Sequence, residues 1–276
     1  MEGLPEWISH HIGDAREIEF AGGHWSLEGL AFEPIQLGSI VVDLSPTRHL
    51  LVMIFVAVLL PLIFIPVARA LRSSEVGQAP RGFSNAMESL IIYFRDEVVR
   101  TNIGHGADAY TPFILTLFFF ILGMNLIGLT PLGITPTTNL SVTAALAVIS
   151  FIVVEISGLR ALGLAGYAKT IFYLPAGLPV FMRPIMLAIL TPVELLGKLT
   201  KPFALAVRLL ANMIAGHTLI LAIMGMIFVL QSYFMGAASV AMASVLMLLE
   251  LFVAFLQAYI FAMLTSVFIG LIRHAH

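Results

Sequence analysis

The chain has no cysteine, which excludes disulfides, thiolate metal sites, thiol nucleophiles and iron–sulfur clusters built from its own residues. Charge is the second shortage. Only 11% of residues are charged while 59% are hydrophobic, against about 25% charged in an ordinary soluble domain. A surface that poor in charge cannot stay in water, so the fold class expected is an all-α integral membrane protein. Motifs are missing as well. There is no GxxxxGK[ST] loop for phosphates, no HExxH and no GxSxG. A net charge of -2 gives nucleic acid nothing to hold.

What charge there is lies unevenly. Residues 1–48 carry eight carboxylates (Glu2, Glu6, Asp14, Glu17, Glu19, Glu28, Glu33, Asp43) against Arg16 and Arg48. This acidic segment has no apolar run able to serve as the core of a cleaved signal peptide. Its short alternating stretches, Glu17–Phe20 and Ile40–Asp43, are open to strand or to no stable structure. The pair His10-His11 with Asp14 is too sparse to be read as a metal site, and no metal or cofactor site is expected elsewhere.

Residues 49–276 read as a membrane domain. Apolar runs predict spans at 50–68, 112–132 and 140–162, each close to the ~20 residues that cross a ~30 Å hydrocarbon core. Pro61 and Pro66 lie in the first. Between it and the second, a section bearing Arg69, Arg72, Arg81, Arg95 and Arg100 has Met87, Leu90, Ile91, Phe94 and Val98 at helical spacing, which predicts an amphipathic surface helix over 80–105. No Asp, Glu, Lys or Arg falls between Asp108 and Glu155. A loop or short hairpin is expected over 163–184. Two long apolar stretches follow at 185–228 and 237–272, separated by Gln231-Ser232-Tyr233. Each is too long for one upright span, since 40 residues rise about 60 Å, so strong tilt or a break is expected. Basic residues cluster at 69–100, at 160–183 and at Arg273, and the turns near 133–139 and 231–236 have none. The positive-inside rule then gives five crossings, with the amino terminus outside and the carboxyl terminus inside.

The long stretches carry groups that apolar surroundings penalise: Glu194, Lys198, Lys201, Arg208 and His217 on one, Glu250 on the other. A buried Arg costs about 2.5–3.5 kcal/mol on insertion scales. Glu194, Lys198, Lys201, Arg208 and Asn212 share one helical stripe by their three-, four- and seven-residue spacings. For the first three, a structural reading is preferred, with stems reaching the interface and Glu194 paired to Lys198. His217, nine residues past Arg208, points to the opposite side. Folding the two stretches antiparallel about the polar break sets Arg208 level with Gln257, and His217 level with Glu250. Arg cannot release its proton, whereas His217 and Glu250 can titrate. A fixed cation beside a titratable couple suits a proton path with a barrier in its middle. The bland alternative for His217 and Glu250 is a structural buried pair.

The stretch Thr200–Ile220, TKPFALAVRLLANMIAGHTLI, together with Glu250–Ile260, ELFVAFLQAYI, closely resembles subunit a of the F-type rotary ATP synthases. The KP…R-L-x-x-N-M-x-A-G core is specific to that family. A weaker likeness runs through MNLIGLTPLGITPTTNLSVT, ending at Thr143, and the resemblance spans roughly residues 50–272. It implies that Arg208 is the essential arginine facing the ring of c subunits, with Asn212 and Gln257 holding it in place. Some members have Glu where this chain has His217 and His where it has Glu250. The exchange keeps one acid and one imidazole, both in the half-channel open to the outside. Glu194 matches a carboxylate of the inner half-channel. Asn139 sits where some members have Asp, so it is expected to orient a channel water rather than relay protons. Partners implied are the c-ring, the peripheral-stalk b subunits and the whole complex in a bacterial cell membrane. The subunit itself makes no bond and binds no nucleotide.

Two rival readings stand beside this one. A proton-coupled secondary transporter also buries Arg, Glu and His near the midplane, but the chain has no internal repeat and few spans. A membrane-embedded enzyme lacks its motifs. Coupling to H⁺ or Na⁺ is decided mainly on the c subunit.

Overall fold

The computed structural model describes residues 17–20, 23–26, 29, 35–37, 40–42, 45–73, 82–130, 133–172, 179–230 and 233–274. In the acidic segment, β1 (Glu17–Phe20) pairs antiparallel with β2 (Gly23–Ser26), and β3 (Ile35–Leu37) with β4 (Ile40–Val42). The alternating stretches left open by the sequence are strands over Glu17–Phe20 and Ile40–Val42, and Asp43 lies outside the described residues. His10, His11 and Asp14 lie outside the described residues.

Beyond this segment the described chain is helical: α1 (Arg48–Ser73), α2 (Phe83–Tyr93), α3 (Thr111–Gly128), α4 (Leu140–Ile171), α5 (Arg183–Leu230) and α6 (Tyr233–Arg273). Five of them, all but α2, are long and apolar enough to cross a membrane. Large apolar side chains such as Phe55, Leu62, Leu196, Leu248 and Phe252 are exposed along them, as lipid-facing helices require. The 48 residues of α5 and the 41 of α6 rise about 72 Å and about 62 Å. Neither can stand upright within a ~30 Å core.

Residues 164–171 depart from the expected loop or hairpin: they are helical, and α4 continues to Ile171. The chain does break at the foreseen point. Gly163 takes φ 68 and ψ 173 inside α4, a conformation that needs no Cβ, and two helical runs meet there. The polar break at 231–232 lies outside the described residues.

The chain divides into two compact units. Residues 1–69, 119–142 and 209–258 form the first. Here α1 and α3 approach closely at Gly123, where a Cβ would come within 2.9 Å of Val56 Cγ1, and the Phe64 and Phe119 rings meet edge to face at 4.6 Å. Asn125, fully buried on α3, donates to the Ala254 carbonyl of α6 at 3.4 Å and accepts from Thr137 Oγ1 at 2.7 Å. One amide thus ties a helix and a loop to α6 where water cannot compete.

Residues 70–118, 143–208 and 259–276 form the second unit. The amphipathic segment there is not helical in one style. α2 buries nothing, and a π-helical stretch, Phe94–Arg100, follows it and buries Phe94, Val98 and Val99. Its wide turn frees the Val98 carbonyl, which accepts from Asn102 Nδ2 at 2.6 Å and from Ser266 Oγ of α6 at 3.0 Å. Phe94 packs against Phe118 and Tyr259 with ring centroids 4.4 and 5.7 Å apart. Gly270 lets the end of α6 touch the Asn102 carbonyl, where any Cβ would collide with backbone. Arg273 then donates to the His105 carbonyl at 2.8 Å.

Candidate functional site

In the first unit, α5 and α6 bring the imidazole and the carboxyl together. His217 Nε2 lies 3.6 Å from Glu250 Oε1, with side-chain exposures of 14% and 4%. The register inferred from a constant index sum therefore places these two side chains at one level. Gly216 makes the approach feasible. A Cβ there would stand 2.7 Å from Glu250 Oε1 and 2.9 Å from its Cδ, so any larger residue displaces the carboxyl. The same Nε2 also meets Thr135 Oγ1 at 2.6 Å. Thr135 comes from the loop after α3, which runs through a 3₁₀ turn at Pro136–Thr138. Neither carboxyl oxygen of Glu250 takes part in a hydrogen bond among the described residues. A buried carboxyl so poorly bonded is costly as architecture alone.

Gln257, also buried, bonds to Asn212. Its Oε1 accepts from Asn212 Nδ2 at 2.8 Å, a bond between α5 and α6 within the first unit. Arg208 belongs to α5 in the second unit. Its side chain is exposed and has no hydrogen bond or ion pair among the described residues. Asn139 has a definite local task. Its Oδ1 accepts from the Ser141 backbone N–H at 2.8 Å, capping the start of α4, and its Nδ2 lies 3.5 Å from Nδ1 of the buried His49.

The second unit holds a different cluster. Lys198 is 9% exposed, and its ammonium meets Glu155 Oε2 at 3.3 Å, Thr170 Oγ1 at 3.4 Å and the face of the Tyr167 ring at 4.3 Å. Tyr167 donates its hydroxyl proton to the same Glu155 oxygen. This corrects the expected Glu194–Lys198 pair. Glu194 is exposed, and a long side chain with a choice takes the partner that shares its burial. Lys201 stays near the aromatic face of Phe268 at 5.3 Å. A cavity of about 110 Å³ lies among Ser150, Glu155, Thr170, Glu194, Lys198 and Lys201.

Thr135, Asn125, Thr137, Tyr167 and Glu155 carry these networks and were not singled out from the sequence. For Glu155 a signal existed: a lone carboxylate inside the predicted span 140–162 is costly there and needs a partner. The Thr, Asn and Tyr residues had no such mark, because neutral polar residues are ordinary in membrane helices and loops.

Five helices long and apolar enough to cross a membrane, an imidazole–carboxyl pair between α5 and α6 and an exposed arginine one turn from Asn212 on α5 define a multi-pass membrane protein. The family model for the ATP synthase A chain matches residues 50–270. ATP synthase subunit a of Chloroherpeton thalassium is 44% identical over 263 residues, 95% of this chain and 75% of that protein. The subunit a of Anaeromyxobacter dehalogenans is 42% identical over 285 residues, 99% of this chain and 72% of that one. A second subunit a of Chlorobium luteolum is 45% identical over 269 residues, 96% and 74% of the two chains. The chain belongs to the ATP synthase A chain family, whose members are the non-catalytic subunit a of the membrane sector.

Proposed function

We propose that this chain is the stator subunit through which protons pass to and from a ring of c subunits, coupling proton-motive force to ATP synthesis. A proton enters from the outside through His217 and Glu250 and neutralises a c-ring carboxylate, which rotates into lipid. After nearly a full turn that carboxylate meets an inner half-channel that includes Glu194 and releases its proton. Arg208 holds a fixed positive charge that favours the ionised carboxylate and blocks a direct leak between the half-channels. Asn212 and Gln257 shape the helix face from which Arg208 projects, and Asn139 lines the entry without carrying protons. Each proton contributes about 2.3 kcal/mol per 100 mV of membrane potential. The amino terminus lies outside a bacterial cell membrane and the carboxyl terminus in the cytoplasm. The peripheral-stalk b subunits hold the chain against the ring.

The observation that carries this reading is Arg208. It is exposed and unpaired among the described residues, yet it sits in an apolar helix where a cation without a partner costs several kcal/mol. A ring carboxylate on another chain would supply that partner. ATP synthesis driven by an imposed proton gradient, in vesicles carrying Arg208→Ala and Arg208→Lys complexes, tests it. Ala is expected to abolish synthesis while hydrolysis by the soluble head continues, and Lys to impair synthesis severely because a compact ammonium lacks the planar fork. Normal synthesis with Ala would overturn the assignment.

A further inference from the structure

Two partners meet one nitrogen of His217. Thr135 Oγ1 is 2.6 Å from Nε2 and Glu250 Oε1 is 3.6 Å from it, and Nε2 can hold one proton or one lone pair but not both. A hydroxyl, unlike a carboxylate or a methyl group, can serve either state. It donates to the lone pair of a neutral ring and accepts from an N–H. Space for this hydroxyl is provided on purpose by the backbone. Gly128, the last residue of α3, lies so close that a Cβ would overlap Thr135 Oγ1. Thr135 itself is 2% exposed, so water does not substitute for it.

We propose that Thr135 is a positioning residue for His217, holding its Nε2 beside Glu250 and reversing from donor to acceptor as the ring gains and loses its proton. The inference rests on the proton path proposed above. In the transfer, the N–H bond at Nε2 breaks and an O–H bond forms at Glu250 Oε1. Imidazolium becomes imidazole, carboxylate becomes carboxylic acid, and the Thr135 hydroxyl turns its hydrogen back toward the vacated lone pair. No other group changes charge. Among the polar groups that other elements contribute to this unit, Asn125 of α3 and Thr137 of the loop are neutral and bonded to each other. Among the described residues, the other buried cationic or titratable groups of the unit are Arg48 and His49 at the start of α1, and His49 meets Asn139.

The test uses intact complexes in vesicles, comparing Thr135→Val, Thr135→Ser and His217→Ala for synthesis rate per assembled complex and for its dependence on the pH of the proton-entry side. Val keeps the shape and removes the hydroxyl. It is expected to slow synthesis about three- to tenfold and to move the entry-side limb by about 0.5–1 pH unit, the size of one net hydrogen bond. Ser should behave as the unsubstituted protein. An unchanged rate and profile with Val, or a loss of assembled complex with an unmoved profile, overturns the proposal. If Val does not assemble, Gly128→Ala takes its place: the same limb must move, and an unmoved limb overturns it. The His217→Ala arm separates the two levels. Loss there with a normal Val leaves the proton path standing and removes Thr135 from it, whereas normal synthesis with His217→Ala removes the path itself.

Discussion

Each unit buries a cation-forming side chain beside a carboxyl, and the two pairs are built in opposite ways. Glu155 is well held: Tyr167 and Lys198 both donate to its Oε2, and the ammonium is further enclosed by Thr170 and the Tyr167 ring. Glu250 has no hydrogen bond among the described residues, and its nearest ionisable partner is 3.6 Å away on a ring that another hydroxyl already engages. A pair held by several bonds at once fastens its helices, because losing one partner strands the others. An under-bonded pair beside an amphoteric hydroxyl has little to lose when a proton moves. The contrast separates an ion pair that fastens α4 to α5 from one suited to passing charge, although each could be described as a buried salt bridge.

Substitutions can break this distinction. The largest effect on turnover is expected from Glu250→Gln, which keeps volume and removes the acid. Proton-driven synthesis should fall by on the order of tenfold or more, since about 1.4 kcal/mol of added barrier suffices for that, with assembly and head hydrolysis unchanged. Equal losses of assembly and synthesis would make the pair structural. Lys198→Met should do the reverse. Removing one member of a buried pair strands the other at a cost of about 3–5 kcal/mol, so thermal stability of the purified complex should drop. The double change Lys198→Met with Glu155→Gln should recover most of it. A stable Lys198→Met complex that fails only in proton transport would erase the contrast.

The smallest effect sharpens the comparison from outside the spans. Arg100 bonds to Asp108 at 2.8 Å and to Asp96 at 3.0 Å, and Arg95 bonds to Asp96 at 2.9 Å. All are exposed, where ion pairs contribute little. The hydrogen bond from Arg95 holds Asp96, and that from Arg100 holds Asp108, below the ordinary value of 3.8. A carboxyl whose folded pKa is lowered stabilises the fold above 3.8 and ceases to do so as pH falls through the lowered value. Thermal unfolding of the complex from pH 6 down to pH 3 should therefore differ only slightly between Asp108→Asn and the unsubstituted chain, with the difference vanishing at the acid end. A difference that grows toward acid pH would contradict the assignment.

Several features were legible because they follow from transfer free energy and length. Apolar runs without charge have no place but lipid, and stretches of about 40 residues exceed what an upright span needs. His217 and Glu250 were recoverable as one level because two antiparallel helices joined by a short break keep a constant index sum. The same rule put Gln257 level with Arg208, and the Gln257 amide bonds to Asn212, since equal level does not decide which way a side chain turns. Glu194 and Lys198 were one turn apart and of opposite sign, yet Lys198 took the carboxylate of another helix. Spacing reports neighbours on one helix, and burial decides between neighbours.

Composition and periodicity alone were enough to establish a membrane protein with two overlong helices, because water and hydrocarbon impose their preferences residue by residue. The KP…R-L-x-x-N-M-x-A-G stretch named the family. Which carboxyl is well held and which is left under-bonded came from the fold alone. Thr135 is 82 residues from His217 and Glu155 is 43 from Lys198, and contacts at such separations exist only once the helices have packed. Gly128 and Gly216 show the same division. As residues they state only that a Cβ is missing, and only the packed helices reveal that a hydroxyl and a carboxyl occupy the space it would have filled.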